Sequence, residues 1–121
     1  MSNGPVSIDL ETGQVSDKSA QPDWLQVGGH ASMSPDGAIF VVDGVLTDPE
    51  KNKKHWGVAL GDFENGDWIK IREFDNSKGT TSWRASHPHP VFSPSGDRIY
   101  FNVSEDQWTR LWMAERIPKK E

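Results

Sequence analysis

The chain has 121 residues and carries 18 acidic against 13 basic side chains, a formal net charge of −5 at pH 7. This length allows one small domain, and the acidic balance argues against nucleic-acid binding, which needs a surplus of Lys and Arg. The absence of cysteine excludes disulfides, thiolate metal sites and cysteine nucleophiles. No apolar stretch reaches the ~18 residues of a membrane-spanning helix, and the first residues lack the features of an export signal. The sequence therefore predicts a cytoplasmic protein with no nucleic-acid or membrane partner.

The first predicted element is a short hairpin. Val6, Ile8 and Leu10 alternate with polar residues, as in a half-buried strand. A D-x-E-x-G turn beginning at Asp9 then leads into a second short strand. We expect residues 1–20 to form half of a four-stranded unit.

The central part of the chain predicts a complete four-stranded antiparallel unit over residues 25–76. An S-P-D-G turn at residues 34–37 joins its first two strands, because proline fixes φ and glycine accepts a positive φ. A second D-x-E-x-G turn, beginning at Asp62, separates predicted strands over residues 56–60 and 68–74.

The last part repeats this pattern without its final strand. An S-P-S-G turn at residues 93–96 precedes a predicted strand over residues 98–103, and a further strand is predicted over 110–115. We therefore expect residues 83–117 to form a unit that lacks its outer strand.

Two motifs recur in the same order along the chain. H-x-x-[MF]-S-P-x-G begins at His30 and again at His89, 59 residues later, and D-x-E-x-G begins at Asp9 and again at Asp62, 53 residues later. Recurring units of this length indicate a repeat architecture, and four-stranded antiparallel units are typical of β-propeller blades. The sequence thus predicts an all-β fold of about two antiparallel four-stranded β-propeller blades, a partial propeller.

A pair of blades by itself leaves apolar faces in water. Each exposed Å² of apolar area forgoes about 25 cal/mol, and repeat units generally need three or more copies to be stable. We therefore expect either a homo-oligomer that closes a ring or further blades supplied by a longer chain.

Three of the four histidines are candidates for a metal site. His87 and His89 are two residues apart, so on a strand both project from the same face. His30 has the position of His89 one unit earlier, beside the central channel of a propeller. Three imidazoles suit a divalent metal such as Mn²⁺, Fe²⁺, Ni²⁺ or Zn²⁺, although local hydrogen bonding and direct substrate contact are open alternatives. The fourth histidine, His55, is interpreted as an exposed strand residue.

Residues 83–102, WRASHPHPVFSPSGDRIYFN, resemble the C-terminal metal-binding segment of oligogalacturonate lyases. These enzymes are seven-bladed β-propellers that cleave pectic oligosaccharides by β-elimination, and the resemblance covers roughly residues 25–117. It implies a catalytic Mn²⁺ bound by His30, His87 and His89. The family has a glutamine three residues before the first paired histidine, where this chain has Arg84.

The resemblance also implies a substrate, an acidic oligosaccharide of the oligogalacturonide type. Arg84 would recognise its carboxylate through the planar guanidinium, and Trp83 would stack on a sugar ring; an ion pair for Arg84 and a packing role for Trp83 are the alternatives. The family's general base lies on earlier blades, so we assign no catalytic residue here. The competing hypothesis is a non-catalytic propeller module for assembly or recognition of carbohydrate or protein.

Overall fold

The computed structural model describes residues 6–16, 21–48, 50, 53–76 and 87–115. Within these residues lie nine β-strands and no helix, and all strand pairs are antiparallel. The prediction of an all-β antiparallel chain is therefore confirmed. Among the same residues there is no helix long and apolar enough to cross a membrane.

The first sheet is the predicted N-terminal hairpin, with β1 (Ser7–Ile8) paired to β2 (Val15–Ser16). Its turn is held by the Asp9 carboxylate, which accepts hydrogen bonds from two backbone N–H groups of the turn. Gly13 closes the turn with a φ of 72°, a left-handed conformation that glycine adopts without a steric penalty. The D-x-E-x-G motif thus forms the hairpin turn that its residues predict.

The second sheet contains four strands whose order in space is their order in the chain. They are β3 (Leu25–Met33), β4 (Ile39–Asp48), β5 (Lys53–Asp62) and β6 (Trp68–Phe74). The two predicted turns join β3 to β4 and β5 to β6. Strands β4 and β5 extend well beyond the apolar runs that predicted them, because they pair with each other over ten residues from Ile39 to Asp48.

The third sheet has three strands, β7 (Val91–Phe92), β8 (Arg98–Val103) and β9 (Arg110–Glu115). The bounds of β8 and β9 are those predicted from the sequence. Strand β9 is the edge of this sheet among the described residues, and its Leu111 is 72% exposed. That the second and third sheets are propeller blades stays a prediction.

A hydrophobic cluster joins the second and third sheets. Its members are Val41, Val58, Leu60 and Phe74 from one sheet and Phe92, Ile99, Phe101 and Val103 from the other. A separate cluster contains Leu25, Phe40, Val42, Leu46 and Ala59. Because successive strand residues point to opposite faces, Val41 contributes to the first cluster while its neighbours Phe40 and Val42 contribute to the second. Strand β4 is therefore buried on both faces.

Three of the described tryptophans pack against the two hydrophobic clusters. Trp56 packs against the cluster between the sheets, and Trp24 and Trp68 pack against the second cluster. Trp108 is 62% exposed. It lies in the turn between β8 and β9.

Candidate metal centre

Three histidine side chains converge between the second and third sheets. One ring nitrogen from each of His30, His87 and His89 lies within 4.8 Å of the others. The ring centroids of His30 and His89 are 3.6 Å apart, and that of His87 is 5.3 Å from His30. The rings of His30 and His87 are half-buried, while His89 is exposed. The structure thus brings together the residues proposed from the sequence, and their role as metal ligands stays a prediction.

A bulge in β3 sets the position of His30. The pairing of β3 with β4 shifts register between Val27 and Ala31, and Gly29 within this bulge has a φ of 143°. Bulges of this kind re-aim side chains relative to a regular strand. His30 lies inside β3, as the sixth of its nine residues.

The expectation that His87 and His89 lie on a strand is wrong, because β7 begins only at Val91. Two prolines, Pro88 and Pro90, flank His89 and lack the N–H groups that a strand ladder requires. His89 has a φ of 46°, a left-handed conformation that is uncommon outside glycine. Backbone geometry, and not strand alternation, therefore places these two rings.

A carboxylate that sequence reasoning missed lies beneath the cluster. Asp43 on β4 is 0% exposed. Its Oδ1 accepts a hydrogen bond from the His30 backbone N–H at 3.2 Å, and its Oδ2 lies 2.7 Å from Nδ1 of His30. The same Oδ2 accepts a hydrogen bond from the backbone N–H of His89 at 3.3 Å. One side chain thus contacts two of the three candidate ligands.

The repeat contains a signal that would have found Asp43. Asp43 and Asn102 are 59 residues apart, the same offset that relates His30 to His89. Asn102 likewise contacts the histidine segment, since its Nδ2 donates to the backbone carbonyl of His87 at 3.5 Å. A polar residue at the same position of two apolar strands therefore marks contact with the histidines.

An aromatic ring supports the third histidine. The Trp56 and His87 rings stack with centroids 4.8 Å apart and an interplanar angle of 22°. Trp56 is on β5 and also packs against the cluster between the sheets. The core and the candidate metal centre are therefore in direct contact.

The two candidate substrate contacts, Trp83 and Arg84, lie outside the described residues. Their roles, and the position that the resemblance assigns to a fourth ligand, stay predictions.

His55 lies outside the cluster and is half-buried rather than exposed. Its Nδ1 is 3.0 Å from Oε1 of Glu73 on β6, and the other Glu73 oxygen accepts a hydrogen bond from Lys70 Nζ at 3.2 Å. Partial burial raises the pKa of Glu73, but the hydrogen bonds from Lys70 and His55 outweigh it, so the pKa lies below its ordinary value.

This balance predicts a pH-dependent effect of Glu73→Gln. A carboxyl group whose pKa is lowered by folding stabilises the protein above its unfolded-state pKa and loses that effect as the pH falls through its folded-state pKa. We expect the variant to be about 0.5 kcal/mol less stable at neutral pH. Urea denaturation at neutral and strongly acidic pH checks this, since the difference from wild type should disappear in acid. A difference that persisted in acid would contradict the ion pair.

The fold of this chain is similar to part of a known structure. No protein-family model matches the sequence, and no curated protein matches it. Among solved structures, a chain described as oligogalacturonate lyase in complex with manganese matches with a TM-score of 0.67 and 24% sequence identity. The alignment covers 93% of this chain but only 28% of that chain. The likeness establishes a fold similar to a part of that lyase and is consistent with a β-propeller-like fragment.

Proposed function

We propose that His30, His87 and His89 hold a divalent metal ion and that this centre binds acidic oligosaccharides of the oligogalacturonide type. The observation that carries the proposal is the convergence of three ring nitrogens within 4.8 Å of one another, one from β3 and two from the segment that precedes β7. The fold likeness to a lyase whose structure holds manganese supports it.

The donor set fits such an ion. Three imidazoles without a thiolate suit Mn²⁺, Fe²⁺, Ni²⁺ or Zn²⁺, and the sequence resemblance favours Mn²⁺. Nδ1 of His30 contacts a carboxylate, which is the arrangement that metal-binding histidines commonly have at their second nitrogen. The exposed ring of His89 places the centre where a ligand from solvent can reach it.

The residues of this chain would bind the metal ion and the substrate, and a complete lyase needs a general base in addition. A divalent cation held by His30, His87 and His89 would polarise a uronate carboxylate and so acidify the proton on the adjacent carbon. Arg84, three residues before His87, would orient that carboxylate through its two parallel N–H groups, while Trp83 would stack on the sugar ring. β-Elimination also requires a base that takes the proton, which we propose comes from further blades or a second copy of the chain.

Calorimetric titration with trigalacturonate tests the binding function. We expect binding in the presence of Mn²⁺, no binding after chelation, and no binding of the trisaccharide whose carboxyl groups have been reduced to alcohols. Arg84→Ala should weaken binding, and Arg84→Lys should restore it only in part, because lysine keeps the charge but not the planar pair of donors. Equal affinity for the reduced sugar, or for metal-free protein, would contradict the proposal.

The near-ultraviolet absorbance of the same protein and sugar mixture identifies a lyase, as opposed to a module that only binds carbohydrate. β-Elimination leaves an unsaturated product that absorbs in the near ultraviolet, so growth of that absorbance with Mn²⁺ present identifies catalysis. Binding without any change in absorbance is the result expected of a non-catalytic module, and equally of a lyase fragment whose base lies on blades outside this chain.

A further inference from the structure

We infer that Asp43 is a positioning residue of the metal centre, which directs Nε2 of His30 toward the ion and holds the backbone of His89. This inference rests on the proposed metal site. Asp43 is 0% exposed on β4, and its two oxygens make three contacts, with His30 N–H, His30 Nδ1 and His89 N–H, at 3.2, 2.7 and 3.3 Å.

The contacts define which nitrogen of His30 carries hydrogen. Each Asp43 oxygen accepts a hydrogen bond from a backbone N–H group, as in an ionised carboxylate, which has no hydrogen to donate. At 2.7 Å, Nδ1 of His30 must therefore supply the hydrogen of that contact. In a neutral imidazole this leaves the lone pair on Nε2, and a lone pair is what a metal ligand needs.

The same carboxylate holds the second ligand through its backbone. His89 has a φ of 46°, and residues other than glycine adopt such a conformation at a cost that the surrounding structure must offset. The hydrogen bond from its N–H to Asp43 Oδ2 is made in this conformation. Asp43 therefore fixes the relative position of two candidate ligands, His30 on β3 and His89 in the segment before β7.

Comparison of Asp43 with Asn102 indicates that the negative charge of Asp43 is there for its contact with the His30 ring. Asn102 has the position of Asp43 in the next repeat, and its neutral amide donates to a backbone group, the carbonyl of His87. A buried charge costs free energy unless it is paired. Of the two repeat positions, Asp43 is the one that faces a histidine ring nitrogen, and it is the one with a carboxylate.

Long-range ¹H–¹⁵N NMR of the metal-free wild-type protein tests the inference directly. In the neutral form of the ring, we expect His30 to carry its hydrogen on Nδ1. Hydrogen on Nε2 would overturn the inference. This measurement needs neither bound metal nor a folded variant, so its outcome is independent of whether the chain binds Mn²⁺ or any sugar.

Asp43→Asn provides the second test. The amide keeps the shape of the carboxylate, but in either orientation its NH₂ group faces an N–H donor. We expect the Mn²⁺ affinity to fall about 10–100-fold, the usual effect of losing such a supporting group. Glu73→Gln is the matched control, since it makes the same exchange beside His55 and should leave Mn²⁺ affinity unchanged.

The outcomes separate the two proposals. Unchanged Mn²⁺ affinity in folded Asp43→Asn protein would overturn the positioning role while leaving the metal site intact. If wild-type protein binds no Mn²⁺, the proposed function fails, and the NMR result for His30 still decides which ring nitrogen carries the hydrogen in the contact with Asp43. If the variant does not fold, the wild-type spectrum alone decides.

Discussion

Replacing Phe101 with alanine lowers the free energy of unfolding by about 3–5 kcal/mol. Phe101 is 3% exposed and belongs to the cluster that joins the second and third sheets. Its removal takes apolar area out of the contact between the sheets and leaves a cavity that neighbouring strands fill only in part. This loss is a large fraction of the 5–15 kcal/mol that stabilises an ordinary domain, on the order of a third of it.

Urea denaturation of Phe101→Ala and Leu111→Ala provides the matched comparison. Leu111 lies on the next strand of the same sheet but is 72% exposed, so its truncation should change stability by no more than about 0.5 kcal/mol. Equal losses in the two variants would contradict the packing of the third sheet against the second.

The second large effect is expected for Gly57→Ala. A Cβ atom at Gly57 would lie 2.3 Å from the Arg72 carbonyl oxygen and 2.4 Å from Cδ1 of Leu46. The oxygen belongs to the backbone of β6 and cannot turn away as a side chain can. We expect a loss of about 3 kcal/mol, at the upper end of the range for overpacked cores.

Gly13→Ala separates the steric effect from the conformational one. Gly13 has a φ of 72°, but nothing lies within 4 Å of a Cβ built there, so only the left-handed conformation is penalised, by about 1–2 kcal/mol. Thermal unfolding of both variants measures the difference. Wild-type stability in Gly57→Ala would show that β5 and β6 do not have the register described.

The strands were predictable because the turns between them are decided locally. Proline and glycine in the S-P-x-G motif fix their own backbone angles, and Gly37 and Gly96 have φ values of 73° and 79°. The ends of β4 were not predictable from its apolar run. The strand continues through polar residues to Asp48 because β5 supplies a backbone partner at every position, and that pairing has no local sequence signal.

The three histidines of the candidate site were predicted from the sequence, but Asp43, the residue that contacts two of them, was not. The repeat offset relates His30 to His89, and their rings lie 3.6 Å apart. The flanking prolines changed the outcome for His89, since they exclude the strand that its spacing from His87 suggested. Asp43 was missed because its contacts are with His30 and His89, 13 and 46 residues away, and the signal for it lies in the 59-residue offset to Asn102 rather than in a local pattern.

Titration of the protein with Mn²⁺, with free Mn²⁺ read by electron paramagnetic resonance, tests the central claim most directly. We predict one bound Mn²⁺ per chain in wild type and none in the variant with His30, His87 and His89 all replaced by alanine. His55→Ala should bind as wild type does, because His55 pairs with Glu73 outside the cluster. A wild-type protein that binds no stoichiometric Mn²⁺, or a triple variant that binds it equally well, would contradict the metal centre.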